Sequence, residues 1–279
     1  MPVVSINGVR VGYEVHGASG PVVLLVTGTG APGRVWRTHQ VPALLAAGYR
    51  AVTMDNRGIP PSDTGGDFTL ADMAADTAGL IEHLDAAPCR VVGFSLGAMI
   101  VQELLVARPD LAERAVLMAT RGRSDPLAAA VTAAEIELCD SGVQIPARFN
   151  AVIRALQNLA PSTLADDDRV RDWLDILEMS APDLTAIRGQ LGVDLIPDRR
   201  PAYAGIGCPC LVLGFADDLV ARPGLGREVA AAIPGARYEE IAGCGHYGYL
   251  ERPDAVNAAL LRFLGAPADR SAVVTRAGA

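Results

Sequence analysis

Arg90-Val91-Val92-Gly93-Phe94-Ser95-Leu96-Gly97-Ala98-Met99-Ile100 is the stretch on which the rest of the chain turns. The valines before Gly93 read as a buried strand, and an apolar helical pattern through Met99, Ile100, Leu104 and Leu105 starts directly after Gly97. A serine on a strand-to-helix turn is the setting that exposes a nucleophile: a strained backbone, small neighbours, and free helix N–H groups aimed at its oxygen. Gly93, Gly97 and Ala98 are small enough for that turn. The bland alternative is a glycine turn carrying an incidental serine.

Strands and helices alternate around this turn. Val3–Ile6 and Val9–Val15 flank Asn7-Gly8, a pair that favours a two-residue hairpin. Pro21–Val26 is a strand ending in Thr27-Gly28-Thr29-Gly30-Ala31-Pro32-Gly33, which lacks the Lys-Ser/Thr of a phosphate loop and the spacing of a dinucleotide fingerprint. A helix is read over Val35–Ala47, a strand over Arg50–Met54, a helix over Thr69–Leu84 and a strand over Arg114–Met118. This rhythm specifies an α/β fold with a mostly parallel sheet covered on both faces.

The rhythm breaks at Thr120. Up to about Pro201 the pattern is helical only (Leu127–Leu138, Arg148–Leu159, Asp167–Met179, Leu184–Leu191), punctuated by Gly142, Pro146, Pro161, Pro182 and Pro197. Strands resume at Cys210–Gly214 and Arg237–Ile241, with helices over Pro223–Ala232 and from Pro253. Both ends of the helical stretch return to one sheet, so residues 123–200 are expected to form a lid inserted before the last two strands. The core is then 1–122 with 201–267, and 268–279 is a frayed tail.

A net charge of −8 over 279 residues argues against nucleic acid or acidic membranes as partners. No apolar run reaches membrane-spanning length, and the N-terminus lacks a signal-peptide pattern. Five cysteines, an odd number, suit a reducing compartment, and Cys208-Pro-Cys210 is too short for a zinc knuckle. A cytoplasmic protein acting on a small molecule is expected, with no metal; a homo-oligomer is left open.

A serine hydroxyl needs a base and a carboxylate from other loops. Of four histidines, His16, His39 and His83 fall at a hairpin end or in helical patterns. His246 lies in Gly243-Cys244-Gly245-His246-Tyr247-Gly248 after the last strand, where a base belongs. The acid follows the strand Cys210–Gly214, at Asp217 or Asp218; side chains of adjacent residues point opposite ways, and spacing alone does not choose.

The order serine, aspartate, histidine resembles that of the α/β-hydrolase fold, over a match running from Tyr13 to Leu264. Gly214-x-x-Asp217 resembles the family's acid loop, which implies Asp217 as the acid beside Ser95 and His246. Asp55-x-Arg57-Gly58-x-x-x-Ser62 is similar to the family's DxRGxGxS stretch, with Pro60 where glycine is usual, a departure placed in a structural turn. The resemblance implies an oxyanion hole from the N–H groups of Leu96 and Thr29. The family's histidine before Gly28 is replaced by Thr27, so the hole is expected to be held differently. Asp55–Gly58, Met118–Arg123 and Gly214–Asp218 resemble cofactor-free actinobacterial non-haem bromoperoxidases and chloroperoxidases, in which an acyl-enzyme attacked by peroxide gives a peracid.

The resemblance thus implies a cofactor-free serine hydrolase of esters, thioesters or lactones, with perhydrolysis as a side reaction. Gly28, Phe94, Met179 and Tyr247 are the substrate-contact candidates, and an apolar acyl or biosynthetic intermediate the expected substrate. A lyase or cyclase on the same residues would bind an anion through lid arginines among Arg148, Arg154, Arg169, Arg171 and Arg188. A receptor that keeps the fold without turnover is the reading from another class.

Overall fold

Eight strands form one sheet: β1 (Val3–Ile6), β2 (Val9–His16), β3 (Val22–Val26), β4 (Arg50–Met54), β5 (Cys89–Phe94), β6 (Ala112–Met118), β7 (Cys210–Phe215) and β8 (Arg237–Ile241). The computed structural model describes residues 1–181 and 183–265. Pro182 and the tail 268–279 lie outside the described residues. The spatial order is β1-β2-β4-β3-β5-β6-β7-β8. β2 pairs antiparallel with both β1 and β4, and every other pairing is parallel. Asn7 (φ 51°) and Gly8 (φ 80°) both take the positive φ of a tight hairpin turn.

The helices are α1 (Gln40–Ala46), α2 (Leu70–His83), α3 (Leu96–Ala107), α4 (Pro126–Ser141), α5 (Ala147–Asn158), α6 (Pro161–Leu164), α7 (Asp167–Met179), α8 (Leu184–Val193), α9 (Arg200–Tyr203), α10 (Pro223–Ala232), α11 (Gly248–Glu251) and α12 (Pro253–Leu264). Strand β3 shows why its sequence is apolar throughout. Leu24 and Val26 pack with α2, α3 and α10 on one face, while Val23 and Leu25 pack with Trp36, α1 and α12 on the other. Alternate side chains therefore enter two separate cores, which is why β3 is apolar at successive positions.

Chain direction across the sheet reverses at β3: β4 lies on one side of it and β5 on the other. The loops after β3 and β5 flank the crevice at this switch point, where open α/β sheets place their ligands.

The helix read over Val35–Ala47 is two pieces, a 3-10 turn over Gly33–Arg37 and then α1. Pro42 is the reason: it has no N–H to give to residue 38, so an α-helix containing it must begin no more than a few residues earlier. The short α6, α9 and α11 were too brief for periodicity to register. α2 starts at a capping box of Thr69 and Asp72, and Thr77 within it donates its hydroxyl to the Met73 carbonyl at 2.9 Å. Among the described residues no helix is long and apolar enough to cross a membrane.

Helices α4–α9 stand between β6 and β7. Their interior is split. α4 and α8 meet through Ile136, Cys139, Ile187 and Leu191 against Ile59, and α5 and α7 meet through Ala151, Ala155 and Leu177 against Tyr247. Val193, Ile196 and Tyr203 already belong to the core on the α3 face of the sheet.

Candidate active site

Ser95 sits at the end of β5 with φ 54° and ψ −120°, a conformation a side chain adopts only when its surroundings impose it. Its N–H donates to the Met118 carbonyl at 2.9 Å, tying the turn to β6. The turn needs its glycines. A Cβ on Gly93 would stand 2.4 Å from the Gly97 oxygen, and one on Gly97 2.2 Å from the Val26 oxygen. Leu96 opens α3, so its N–H has no intrahelical acceptor and lies beside the serine.

His246, 5 % exposed, lies on the loop after β8. Its Nε2 is 3.0 Å from Ser95 Oγ and its Nδ1 is 2.8 Å from Asp218 Oδ2. A carboxylate accepts, so Nδ1 carries the proton and Nε2 is free to take that of the serine hydroxyl. The other Asp218 oxygen accepts the N–H groups of Val220 and Ala221, each at 2.8 Å.

The acid partner is thus Asp218, and the expectation of Asp217 is corrected. After Phe215 the chain turns, with the Asp218 N–H donating to the Phe215 carbonyl at 3.1 Å. The turn swings Asp218 inward beneath the imidazole. Asp217 is left half-buried on the turn, its N–H donating to the Cys244 carbonyl at 3.0 Å. The likeness of Gly214-x-x-Asp217 to the family's acid loop placed the carboxylate one residue too early: in this turn it is Asp218 that reaches the imidazole.

The loop after β3 makes a turn in which the Ala31 N–H donates to the Gly28 carbonyl at 3.2 Å, leaving Thr29 and Gly30 as its central residues. Gly28 lies against the serine: a Cβ on it would be 3.1 Å from Ser95 Cβ and from the Phe94 ring. Thr27 donates its hydroxyl to the Ala31 carbonyl at 2.8 Å, and Asn56 Nδ2 donates to the Thr27 carbonyl at 2.9 Å. The rest of the support comes from the helical insertion. Gly30 N–H donates to Gln190 Oε1 at 2.8 Å, and Thr29 Oγ donates to Asp194 Oδ2 at 3.0 Å. Arg121, 7 % exposed, donates from Nη2 to the Asp194 carbonyl at 3.0 Å and stands 3.4 Å from its carboxylate.

Burial pushes the Asp194 carboxyl up, with the Arg121 charge and the Thr29 hydroxyl opposing. Burial and then the Asp194 charge push Glu135 of α4 up to about 7. Gln190, Asp194 and Glu135 escaped the sequence reading. The one signal, a polar residue inside the apolar pattern of α8 at Gln190, does not say what it would touch.

Phe94 is buried with its ring 5.0 Å from the His246 ring, and Tyr247 is 6.2 Å from it and stacked at 6.1 Å on Trp173. Met179 does not join them; at the end of α7 it is 90 % exposed, outside any packed surface. The five arginines are engaged elsewhere. Arg148 pairs with Glu178, Arg171 with Asp168 and Arg188 with Asp140. Arg154 donates to the carbonyls of Leu177 and Ser180, and Arg169 reaches that of Glu251. Among the described residues no cluster of three or more His, Cys, Asp or Glu is placed to ligate a metal ion.

A serine, an imidazole and a buried carboxylate joined in this way can move one proton off an attacking hydroxyl. Comparison with known proteins agrees with the fold around them. BpoC of Mycobacterium tuberculosis, a protein named for non-heme bromoperoxidase, is 51% identical over 259 residues, 91% of this chain and 97% of that protein. The crystal structure of BpoC superposes with a TM-score of 0.89 at 50% identity, covering 91% of this chain and 95% of that one. The enol-lactonase of Burkholderia xenovorans superposes with a TM-score of 0.81 at 26% identity, covering 95% and 100%. The family model for alpha/beta hydrolases matches residues 23–259, and the chain belongs to that family.

Proposed function

We propose that this protein is a serine hydrolase that cleaves an ester, thioester or lactone through an acyl-enzyme on Ser95. The observation that carries the reading is the unbroken hydrogen-bonded line from Ser95 Oγ through His246 to Asp218, whose other oxygen is anchored by two main-chain N–H groups. Ser95 Oγ attacks the carbonyl as His246 Nε2 takes its proton; the same nitrogen then returns the proton to the leaving group. Asp218 holds the tautomer and stabilises the imidazolium. The N–H groups of Leu96 and Thr29 receive the developing oxyanion. Water, activated by His246, then releases the acid.

Hydrogen peroxide in place of water would yield a peracid, in keeping with the name carried by BpoC, and the lactonase neighbour is in keeping with a cyclic ester. The helical insertion caps the crevice in this reading. An anion-binding lyase is disfavoured, because the five arginines it would need are spent on carboxylates and carbonyls of the protein itself.

Hydrolysis of p-nitrophenyl acetate, butyrate and octanoate tests the proposal. Wild type should turn over, and Ser95→Ala should lose about 10⁴-fold or more. Wild type that neither turns over nor takes a fluorophosphonate label at Ser95 would refute it.

A further inference from the structure

The geometry points to Asp194 as a positioning residue for the loop that carries Thr29, acting through the Thr29 hydroxyl; this rests on the hydrolase reading above. Three observations converge on it.

First, both central residues of the Gly28–Ala31 turn are gripped by one short segment of the insertion. Gln190 takes the Gly30 N–H and Asp194 takes the Thr29 hydroxyl. Second, Asp194 is itself fixed from the sheet. Its main-chain carbonyl accepts Arg121 Nη2 at 3.0 Å and Ser124 Oγ at 3.2 Å. Thr29 follows β3 and Arg121 follows β6, with β5 between those strands in the sheet. The line Thr29–Asp194–Arg121 therefore spans the end of β5, where Ser95 sits. Third, the other braces of the turn hold its ends and not Thr29: the Thr27 hydroxyl donates to the Ala31 carbonyl, Asn56 donates to the Thr27 carbonyl, and Gly30 takes φ 71°.

The consequence is electrostatic as well as steric. An oxyanion donor works when it is aimed before charge develops, and a misplacement of about 1 Å costs on the order of 100-fold in rate. Fixing the Thr29 side chain fixes the rotation of its peptide, and so the aim of its N–H. A bare carboxylate behind that peptide would repel the oxyanion. Arg121 beside it offsets the charge, and burial favours the neutral acid. The charged and titratable groups facing Asp194 are Arg121 after β6, His246 after β8 and Glu135 on α4.

The test compares wild type with Thr29→Val, Thr29→Ser, Asp194→Ala and the Thr29→Val/Asp194→Ala double variant. It reads kcat and KM on p-nitrophenyl butyrate, and the Ki of a trifluoromethyl ketone, whose adduct on Ser95 carries the oxyanion. Thr29→Val and Asp194→Ala should each lower kcat by about 10- to 100-fold with KM within about twofold, and weaken the ketone by the same factor. The double variant should be no worse than either single one, and Thr29→Ser should behave as wild type. Should Asp194→Ala fail to fold, Thr29→Val removes the same contact from the other side. Losses that multiply in the double variant, or that fall on KM while the ketone binds as tightly as before, overturn the role of Asp194. An inert, unlabelled wild type overturns the hydrolase reading instead, and this inference with it.

Discussion

The two halves of the helical insertion each hold one loop of the candidate site, by different means. The half made of α5–α7 rests on the His246 loop. Asn158 at the end of α5 takes the Tyr247 N–H through its carbonyl at 3.1 Å. Glu251, 5 % exposed, accepts the Ala160 N–H on one carboxylate oxygen at 3.0 Å and the Gly245 N–H on the other at 2.7 Å. An apolar cluster that includes Trp173 and Tyr247 fills the space between. The half made of α4 and α8 rests on the Thr29 loop, and there the contacts run through Gln190, Asp194 and Arg121, with the charge of Glu135 acting on Asp194. The histidine side is thus held by a buried carboxylate on two main-chain N–H groups, by one main-chain hydrogen bond and by apolar packing. The serine's other flank is held by an amide, a guanidinium and a carboxyl, Asp194, with the raised carboxyl of Glu135 close by. The α4/α8 half should therefore contribute a share of stability that changes between about pH 4.5 and 7, through Glu135.

The largest effect expected lies on the histidine side and separates two adjacent residues. Asp218→Asn should lower kcat/KM by about 10⁴-fold, because an amide no longer holds the imidazole in the required tautomer. Asp217→Asn should cost less than about tenfold, since its side chain is not on the histidine. Steady-state kinetics on one ester check both, and the reverse ranking would restore the Gly-x-x-Asp assignment.

Next comes the strut beneath α5. Glu251→Leu leaves two buried N–H groups without their acceptor, each worth about 1–3 kcal/mol. Denaturant unfolding should show a loss of several kcal/mol together with weakened activity. An unchanged midpoint would mean that packing alone secures this half.

A smaller and pH-dependent effect is expected at Glu135. Its carboxyl is raised from 4.5 to about 7. Between those values the folded chain keeps a proton that the unfolded chain has lost, so stability declines as pH rises through that window. Glu135→Gln cannot make that loss. Its Tm should match wild type near pH 4 and exceed it by a few degrees at pH 8; equal differences at both pH values would break the contrast between the halves.

The smallest effect belongs to the surface pairs. Arg188→Ala removes an exposed partner of Asp140 and should change stability by about 0.5 kcal/mol or less, with KM unchanged. A large rise in KM for an anionic ester would return that arginine to the substrate.

The turn around Ser95 was legible because its signal is local: a strand, two glycines and a helix within a dozen residues dictate one backbone geometry. His246 was legible by elimination, as the histidine that follows the last strand. Strand and helix identity along the sheet followed from hydrophobic period, and Pro42 was a local signal that the helix over Val35–Ala47 overlooked.

Asp218 was of another kind. Whether β7 continued or turned after Phe215 decided which of two adjacent carboxylates faced inward, and that turn is held by hydrogen bonds to the loop after β8 and to the segment that follows. Met179 looked like a pocket residue by chemistry and lies exposed by geometry. Gln190 and Asp194 reach Gly30 and Thr29 from 160 and 165 positions away in the chain. Period and spacing carry information over a turn or two of backbone. Contacts across that distance exist only once the sheet has set the loops after β3 and β6 on either side of the serine.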